Sequence, residues 1–311
     1  MNFGKDLAYV ALVTSDVAAA TTVFGEHLDL SRTDCQTGAG DQVPVFAIGE
    51  SALALFPLGH PLVGGQDKPG VHHIALAVTD PDAAAEAAAL AGIPALKREA
   101  STGLQGQRYR MLDPQATSGL RIHLSEPLAI KKSNSRVAER LDHIGVASSD
   151  NAAAIDQFCG RLGCQLESQQ TDVEVQIAVE SFTSDKYGVI YHNRKPDVVG
   201  GVRVAFISAG DCELEFLASL NADHGTTMNH DAPGNTRQDR NAIVRFVASR
   251  GAGLHHVALK TPDIDGVLAR LEKAGIRLID RIGRPGSRRA RIGFVHPRSV
   301  GGFLFHFVQR S

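Results

Sequence analysis

An internal repeat constrains the fold of this chain more than any other feature of its sequence. Four apolar segments share one pattern and begin at Leu7, Val71, Leu141 and Leu254. A Ser-Asp, Thr-Asp or Thr-Pro-Asp cluster follows each segment and is typical of a helix N-cap. The stretch after each cluster is Ala-rich or amphipathic, which predicts a short helix. Four apolar residues of the last copy have the spacing of one helix face: Ile264, Val267, Leu268 and Leu271.

Further apolar runs complete the repeating unit. Strand-like segments lie at 43–48, 52–56, 202–207 and 212–217, and two copies end alike in a Gly-x-x-x-His pattern at 119–124 and 302–307. The helices are predicted to stop at or near Gly25, Gly92, Gly160 or Gly163, and Gly275. The unit is therefore βαβββ, used four times. The chain is predicted to be an α+β protein whose units pair into two curved mixed sheets with helices outside.

A polar, basic segment at 129–137 separates two pairs of units. We therefore expect two domains, at 1–130 and 138–311. The third unit is longer than the others, with its excess at about 168–199 and 220–241. Turn-forming residues dominate the second of these segments, so it is either a lid over a binding site or a solvated insertion.

Composition narrows the possible partners of the chain. Of 311 residues, 43% are hydrophobic and 21% charged, as in ordinary globular proteins. With 32 Lys+Arg against 34 Asp+Glu and no Trp, we expect no nucleic-acid partner. No apolar run is long enough to span a bilayer. Four scattered cysteines without a CxxC pair, and an N-terminal segment without signal-peptide character, predict a cytoplasmic location.

Histidines occupy equivalent positions of the repeat and predict a metal site. His143 and His256 lie in the first strands of units three and four, and His306 lies in the last strand of unit four. Glu215 lies in the last strand of unit three, at the position that matches His306. Three imidazoles and one carboxylate suit one divalent ion: Fe, Zn, Ni, Co or Mn. Glu213 shares a strand face with Glu215 and could replace it if the register shifts by two.

The equivalent positions of the first half are poorer in ligands: Tyr9, Ala54, His73 and His123. We therefore expect the first half to be a degenerate, structural pair of units, with a second weak metal site as the alternative. Because side chains alternate along a strand, His72 and His255 are expected to lie on the face opposite to that of their neighbours.

An arginine run in the last unit could bind an anion. Its members are Arg277, Arg281, Arg284, Arg288, Arg289 and Arg291. A guanidinium group binds a carboxylate or phosphate in a bidentate fork. Arg284, Arg288 and Arg289 are the candidates for holding an anionic substrate, and a solvated charged face is the equal alternative.

The motifs of the second half resemble those of the vicinal oxygen chelate superfamily, which includes glyoxalases, bleomycin resistance proteins and extradiol dioxygenases. Within it, residues 138–311 are similar to methylmalonyl-CoA epimerases, while 1–128 matches only at the level of the repeat. The resemblance rests on the segments 141–147, 201–206, 213–217, 253–258, 275–280, 294–299 and 301–305. It implies metal ligands at His143, Glu215, His256 and His306.

Two residues depart from the pattern of the superfamily. Its final strand usually carries Glu where this chain has His306, and the epimerases carry a catalytic Glu where this chain has Val204. Loss of both carboxylates argues against true epimerase activity, because proton transfer at carbon needs positioned bases.

Three functions remain open at the level of sequence. The first is a metal-dependent isomerase, epimerase or lyase, in which the ion is a Lewis acid toward a carbonyl or acyl-CoA-type substrate and His306 and Glu215 are catalytic. The second is a non-haem iron dioxygenase of extradiol or hydroxyphenylpyruvate type, because those enzymes have four units per chain. The third is a non-catalytic protein of the bleomycin-resistance type. In each case the partner is a small molecule, and the chain is a monomer or a homodimer.

Overall fold

The computed structural model describes residues 6–130, 135–176, 179–184, 186, 188–193, 197–220 and 242–310. Between 173 and 200, only the side chain of Lys186 is described. These residues form two curved, eight-stranded mixed sheets with helices packed against them, which confirms the α+β class. Within the described residues, no helix combines the length and apolar character needed to cross a bilayer.

The first sheet contains the strands of the first two repeats. These are β1 (Leu7–Thr14), β2 (Arg32–Gln36), β3 (Gln42–Ile48), β4 (Ser51–Pro57), β5 (Gly70–Ala77), β6 (Ser101–Thr102), β7 (Arg108–Met111) and β8 (Ile122–Ser125). Their spatial order is β2-β3-β4-β1-β5-β8-β7-β6. The helices of this half are α1 (Val17–Thr22) and α2 (Pro81–Leu90), and α1 continues as a π-helical turn over Val23–His27.

The second sheet repeats this order with the strands of units three and four. These are β9 (Arg140–Ser148), β10 (Leu166–Gln176), β13 (Asp197–Ala209), β14 (Cys212–Ser219), β15 (Gly253–Lys260), β16 (Arg284–Pro285), β17 (Arg291–Val295) and β18 (Leu304–Gln309). Their order is β10-β13-β14-β9-β15-β18-β17-β16, and β11 (Val179–Ser184) pairs with β12 (Gly188–Asn193) in a separate hairpin. The helices are α3 (Asn151–Ile155), continued by a π-helical turn over Asp156–Arg161, α4 (Ala242–Arg250) and α5 (Ile264–Lys273). Short 3-10 turns lie at Pro61–Val63, Leu104–Gly106, Pro114–Ala116, Ser287–Arg289 and Pro297–Val300.

The helix starts predicted from the repeat are confirmed. In each unit the carboxylate of the predicted aspartate accepts hydrogen bonds from the first-turn backbone: Asp16, Asp80, Asp150 and Asp263. The apolar face of α5 is buried as its spacing predicts. The first helix, predicted to stop at or near Gly25, runs through Gly25 as a π-helical turn and ends at His27, and Asp29 adopts the left-handed backbone.

The extra length of the third unit lies in two segments, 168–199 and 220–241. Most of the long segment 168–199 lies in strands β10 to β13. The lid considered at 220–241 lies outside the described residues except for Leu220. The domain limits 1–130 and 138–311 stay a prediction.

One continuous apolar core joins the two sheets. Phe24, on the helical turn after α1, packs against Phe46 of its own half and against Phe303 and Phe305 of the other half. A buried hydrogen bond of 2.7 Å from Thr14 Oγ1 to the Val300 carbonyl reinforces the junction. The two halves therefore share the helix-facing core, while the opposite face of each sheet is free to differ.

Truncation of Phe24 tests this shared core. We expect Phe24→Ala to lower the free energy of unfolding by about 3–5 kcal/mol, since it removes a buried ring. Chemical denaturation followed by circular dichroism measures the change, and Leu90→Ala is the control because Leu90 is 92% exposed. Two separate transitions, of which only one shifts, would contradict a core shared by both halves.

Candidate metal centre

The strand registers bring the four predicted ligands to one face of the second sheet. Glu215 and His256 both pair with Gly145 of the central strand β9, one on each side of it. His143 and His306 both pair with Ala258 of the neighbouring strand β15. Since residues two apart share a face, His143 lies on the face of Gly145.

The same registers identify the counterparts in the first sheet. Ala11 pairs with both Ala54 and His73, as Gly145 pairs with Glu215 and His256. His123 pairs with Ala75, as His306 pairs with Ala258. The structure thus places Tyr9, Ala54, His73 and His123 at the positions equivalent to the four candidate ligands.

The four candidate ligands are close together and almost without solvent contact. Glu215 is 5% exposed and His306 is 3% exposed. Glu215 Oε2 lies 3.2 Å from His143 Nε2 and 3.7 Å from His256 Nε2. Ring nitrogens of the three histidines lie within 4.8 Å of one another. Glu213 instead binds Arg288, with 3.0 Å between Nη1 and Oε1, so Glu215 is the carboxylate beside the histidines.

Gly145 makes room for one of the imidazoles. A Cβ atom at this position would lie 2.0 Å from Cε1 of His256, which no side chain can accept. The first sheet has Ala11 here, and His73 instead stacks on His123 with 3.8 Å between ring centroids. His256 can therefore occupy its observed position only because residue 145 of β9 is a glycine.

A β-bulge positions His143. The pairing of β9 with β15 skips Asp142, so Asp142 and His143 both turn toward the site. Asp142 Oδ1 lies 2.9 Å from His143 Nδ1, which leaves Nε2 to face Glu215. Arg310 holds the carboxylate with Nε and Nη2 at 2.9 and 2.6 Å. A carboxylate on the far nitrogen fixes the orientation of a metal-binding histidine and raises its basicity.

Sequence reasoning did not identify Asp142 or Arg310. The available signal was an acidic residue directly before a candidate ligand, but regular alternation assigns that residue to the other face. Regular alternation also predicts that His255 and His72 lie on the face opposite to that of His256 and His73, and the bulges make this prediction wrong. Both lie at bulges, and their Nδ1 atoms approach Nδ1 of His256 and His73 at 2.9 and 2.7 Å.

Burial and charge shape the protonation of the cluster. Burial alone would lower the pKa of His143, but the charges of Glu215 and Asp142 outweigh it and raise the pKa to about 9. Burial would raise the pKa of Glu215, yet the neighbouring imidazoles His143 and His256 hold it well below its usual range. For His306, burial and the adjacent imidazoles keep the pKa well below its usual range.

The donor set fits a divalent ion. Both ring nitrogens of His306 are buried and have no hydrogen-bond partner among the described residues. A buried polar atom without a partner is costly, so it indicates a missing bonding group. Neutral imidazoles and a carboxylate are the ligands preferred by borderline divalent metals.

Apolar side chains and one arginine line the site. Val204, on strand β13 beside the strand of Glu215, is buried. The Phe294 ring centroid lies 4.3 Å from that of His306, and the guanidinium of Arg288 lies 3.7 Å above the Phe206 ring. Arg284 pairs with Asp280 at 3.1 Å. The anion-binding role of Arg284, Arg288 and Arg289 stays a prediction, as do the ligand roles of the four residues.

Removal of the carboxylate behind His143 tests how that ligand is positioned. We expect Asp142→Asn to weaken binding of Zn²⁺ or Co²⁺ by about 10–100-fold, since it loosens and weakens the imidazole. In the metal-free protein the Asp142→Asn substitution also lowers the pKa of His143 from about 9, because the protonated ring loses a negatively charged neighbour. Competition titration and NMR of the histidine rings measure the two effects, with Glu139→Gln as the surface control. Unchanged affinity and pKa would contradict the role of Asp142.

A single methyl group tests the packing of His256. We expect Gly145→Ala to displace the imidazole and to abolish stoichiometric metal binding while the chain stays folded, since the added Cβ overlaps the ring. Elemental analysis and circular dichroism measure these outcomes. Ala11→Gly, at the equivalent position of the first sheet, is the matched control and leaves metal content unchanged. Full metal content in Gly145→Ala would show that His256 is not a ligand.

Comparisons with known proteins agree with the repeat and the registers. Models of the Glyoxalase/Bleomycin resistance protein/Dioxygenase superfamily match residues 6–124 and 142–294. An ethylmalonyl-CoA/methylmalonyl-CoA epimerase of Cereibacter sphaeroides is 25% identical over 173 residues, covering 55% of this chain and 97% of that protein. An uncharacterized Bacillus subtilis protein is 27% identical over 170 residues, covering 55% of this chain and 91% of that protein.

Solved structures extend the likeness of fold to the whole chain. A variant of 4-hydroxymandelate synthase from Streptomyces coelicolor has a TM-score of 0.64 and 15% identity, covering 99% of this chain and 93% of that one. A 2,3-dioxygenase from a Pseudomonas species has a TM-score of 0.60 and 12% identity, covering 100% and 94%. The two family-model matches together span most of the sequence, and the chain belongs to the Glyoxalase/Bleomycin resistance protein/Dioxygenase superfamily.

Proposed function

We propose that this protein is a metal-dependent enzyme that acts on a small molecule carrying a carbonyl or two adjacent oxygens. The reaction class is isomerase or lyase. One observation carries the proposal: His306 offers two buried, unpartnered ring nitrogens at the point where His143, His256 and Glu215 converge.

The residues would hold one divalent ion of Fe, Zn, Ni, Co or Mn type through His143, Glu215, His256 and His306. Such an ion, when bound, supplies Lewis-acid polarisation of a carbonyl oxygen. Asp142 and Arg310 keep His143 in one orientation, and Gly145 leaves space for His256. Val204, Phe206 and Phe294 give the site apolar walls that exclude water.

Proton transfer then depends on Glu215 and His306. Val204 can neither accept nor donate a proton, so the base found there in epimerases is missing. A site with one base less favours elimination or isomerisation over a two-base epimerisation. The Cereibacter epimerase supports an acyl-CoA-type substrate. Arg284, Arg288 and Arg289 are the proposed groups for its anionic part, for which Arg284 and Arg288 would exchange their ion pairs with Asp280 and Glu213.

A dioxygenase is the second candidate, because a specific geometry favours it. Glu215 Oε2 lies next to Nε2 of both His143 and His256, at 3.2 and 3.7 Å. Two imidazoles and one carboxylate are the ligands of non-haem iron oxygenases. His306 would then be a fourth donor or a proton-transfer group beside the iron site.

Metal content tests the proposed site. We expect about one divalent ion per chain by elemental mass spectrometry of untagged protein purified without chelators, and none in His256→Ala or His306→Phe, because each variant removes a donor. His123→Phe, the equivalent change in the first sheet, is the matched control and keeps the ion. Wild-type protein without metal after reconstitution would overturn the ligand set and leave a non-catalytic binding protein.

The identity of the ion then separates the two reactions. Zn, Ni, Co or Mn with turnover of a hydroxy-carbonyl or acyl-CoA substrate under nitrogen supports the isomerase or lyase. Iron with substrate-dependent oxygen uptake on a catechol or 2-oxo acid supports the dioxygenase and contradicts the first proposal.

A further inference from the structure

A second concave space lies outside the metal centre. A cleft of ≈ 970 Å³ opens where the end of the first sheet faces α4 and the start of β15. Its lining comes from residues 61–72, 97–123 and 246–254 and includes none of the four candidate ligands. This volume is large enough for an organic ligand of ordinary metabolite size.

The charge around the cleft is positive. In the ranges that the structure describes, four cations line it, Lys68, Lys97, Arg121 and Arg250, against one carboxylate, that of Asp67. Among the described residues, no ion pair engages any of these four cations. Arg250 is held at the rim by a hydrogen bond of 2.9 Å from Nη1 to the Pro69 carbonyl. The arginine run of the last unit is different, because several of its members are neutralised by carboxylates.

One ring nitrogen of a buried imidazole at the cleft has no hydrogen-bond partner in the described part of the chain. His123 is 3% exposed, and its Nδ1 has no hydrogen-bond partner among the described residues. Its ring is fixed between Tyr109 and His73, with 4.2 and 3.8 Å between ring centroids. Burial lowers the pKa of His123 to about 3, so the ring is neutral and can exchange one hydrogen bond with a ligand.

Apolar and aromatic side chains supply the remaining walls. Phe246 and Leu254 come from the second half, and Leu62, Tyr109 and Met111 come from the first. Uncharged polar side chains lie between them, namely Gln66, Gln115 and Ser249, so the lining is mixed. Cations at the rim, aromatic walls and one buried polar atom together fit a planar, apolar body that carries one anionic group.

We propose that this cleft binds a small aromatic carboxylate, with the carboxylate held by the rim cations and a ring atom or substituent bonded to His123. The first half of the chain is then a ligand-binding unit and not only a structural one. This proposal does not depend on the reaction at the metal centre.

Calorimetric titration with benzoate, compared with benzamide, tests the proposal. We expect benzoate to bind at least tenfold more tightly than its uncharged analogue, since its charge faces cations that form no ion pair within the described part of the chain. His256→Ala must bind benzoate as the wild type does, because the cleft contains no metal ligand. Loss of binding in His256→Ala would place the carboxylate at the metal centre and overturn the proposal.

Variants of the cleft locate the site. Lys97→Gln and Arg121→Gln should each weaken benzoate binding by about tenfold, and Arg281→Gln, remote from the cleft, should not. His123→Phe keeps the ring stack and removes Nδ1, so it should weaken an analogue that carries a ring hydroxyl more than benzoate itself. Lys97 is an exposed surface residue, so Lys97→Gln gives a result even if a buried variant unfolds. No benzoate binding, or equal binding of benzoate and benzamide, would overturn the proposal.

Discussion

The second sheet is organised around one buried carboxylate. Glu215 lies on a face that excludes water, where an unpaired negative charge is very costly. His143 and His256 offset this cost in the metal-free chain, and the negative charges of Glu215 and Asp142 raise the pKa of His143, which favours its cationic form. Asp142 binds the other side of His143, and Arg310, which follows β18, binds Asp142. Negative and positive groups therefore alternate in the order Glu215, His143, Asp142 and Arg310. A divalent ion held by these residues would release the proton of His143 and would supply positive charge beside Glu215 in its place.

The two halves show how a duplicated fold can diverge on one face only. The helix-facing residues stay apolar in both sheets and form a common core. On the other face of the first sheet, Ala54 replaces the carboxylate and Tyr9 replaces an imidazole, among apolar neighbours. His73 and His123 stack on each other, with 3.8 Å between ring centroids. The first sheet therefore presents two stacked imidazoles where the second presents three imidazoles and a carboxylate.

Much of this arrangement follows from sequence, because a repeat fixes registers. Once four βαβββ units are recognised, equivalent strands carry equivalent positions, and His143, Glu215, His256 and His306 follow. Features that break regular alternation could not be predicted that way. The bulges at Asp142 and His255 depend on the pairing of two distant strands, so a single strand carries no sign of them. The π-helical turn through Gly25 and the cleft between the halves depend likewise on tertiary packing, which a local pattern does not contain.

The metal centre and the cleft are neighbours through helix α4. Phe246 lines the cleft, and its ring also meets His255 edge-on with 4.9 Å between ring centroids. His255 in turn places Nδ1 2.9 Å from Nδ1 of His256. These two side-chain contacts connect a wall of the cleft with the support of a candidate ligand. Such a path transmits binding energy only if Phe246 has two stable positions, because a ligand shifts an equilibrium only by its difference in affinity for the two states. The structure shows Phe246 in one position, in which it packs against His255 and so supports the orientation of His256.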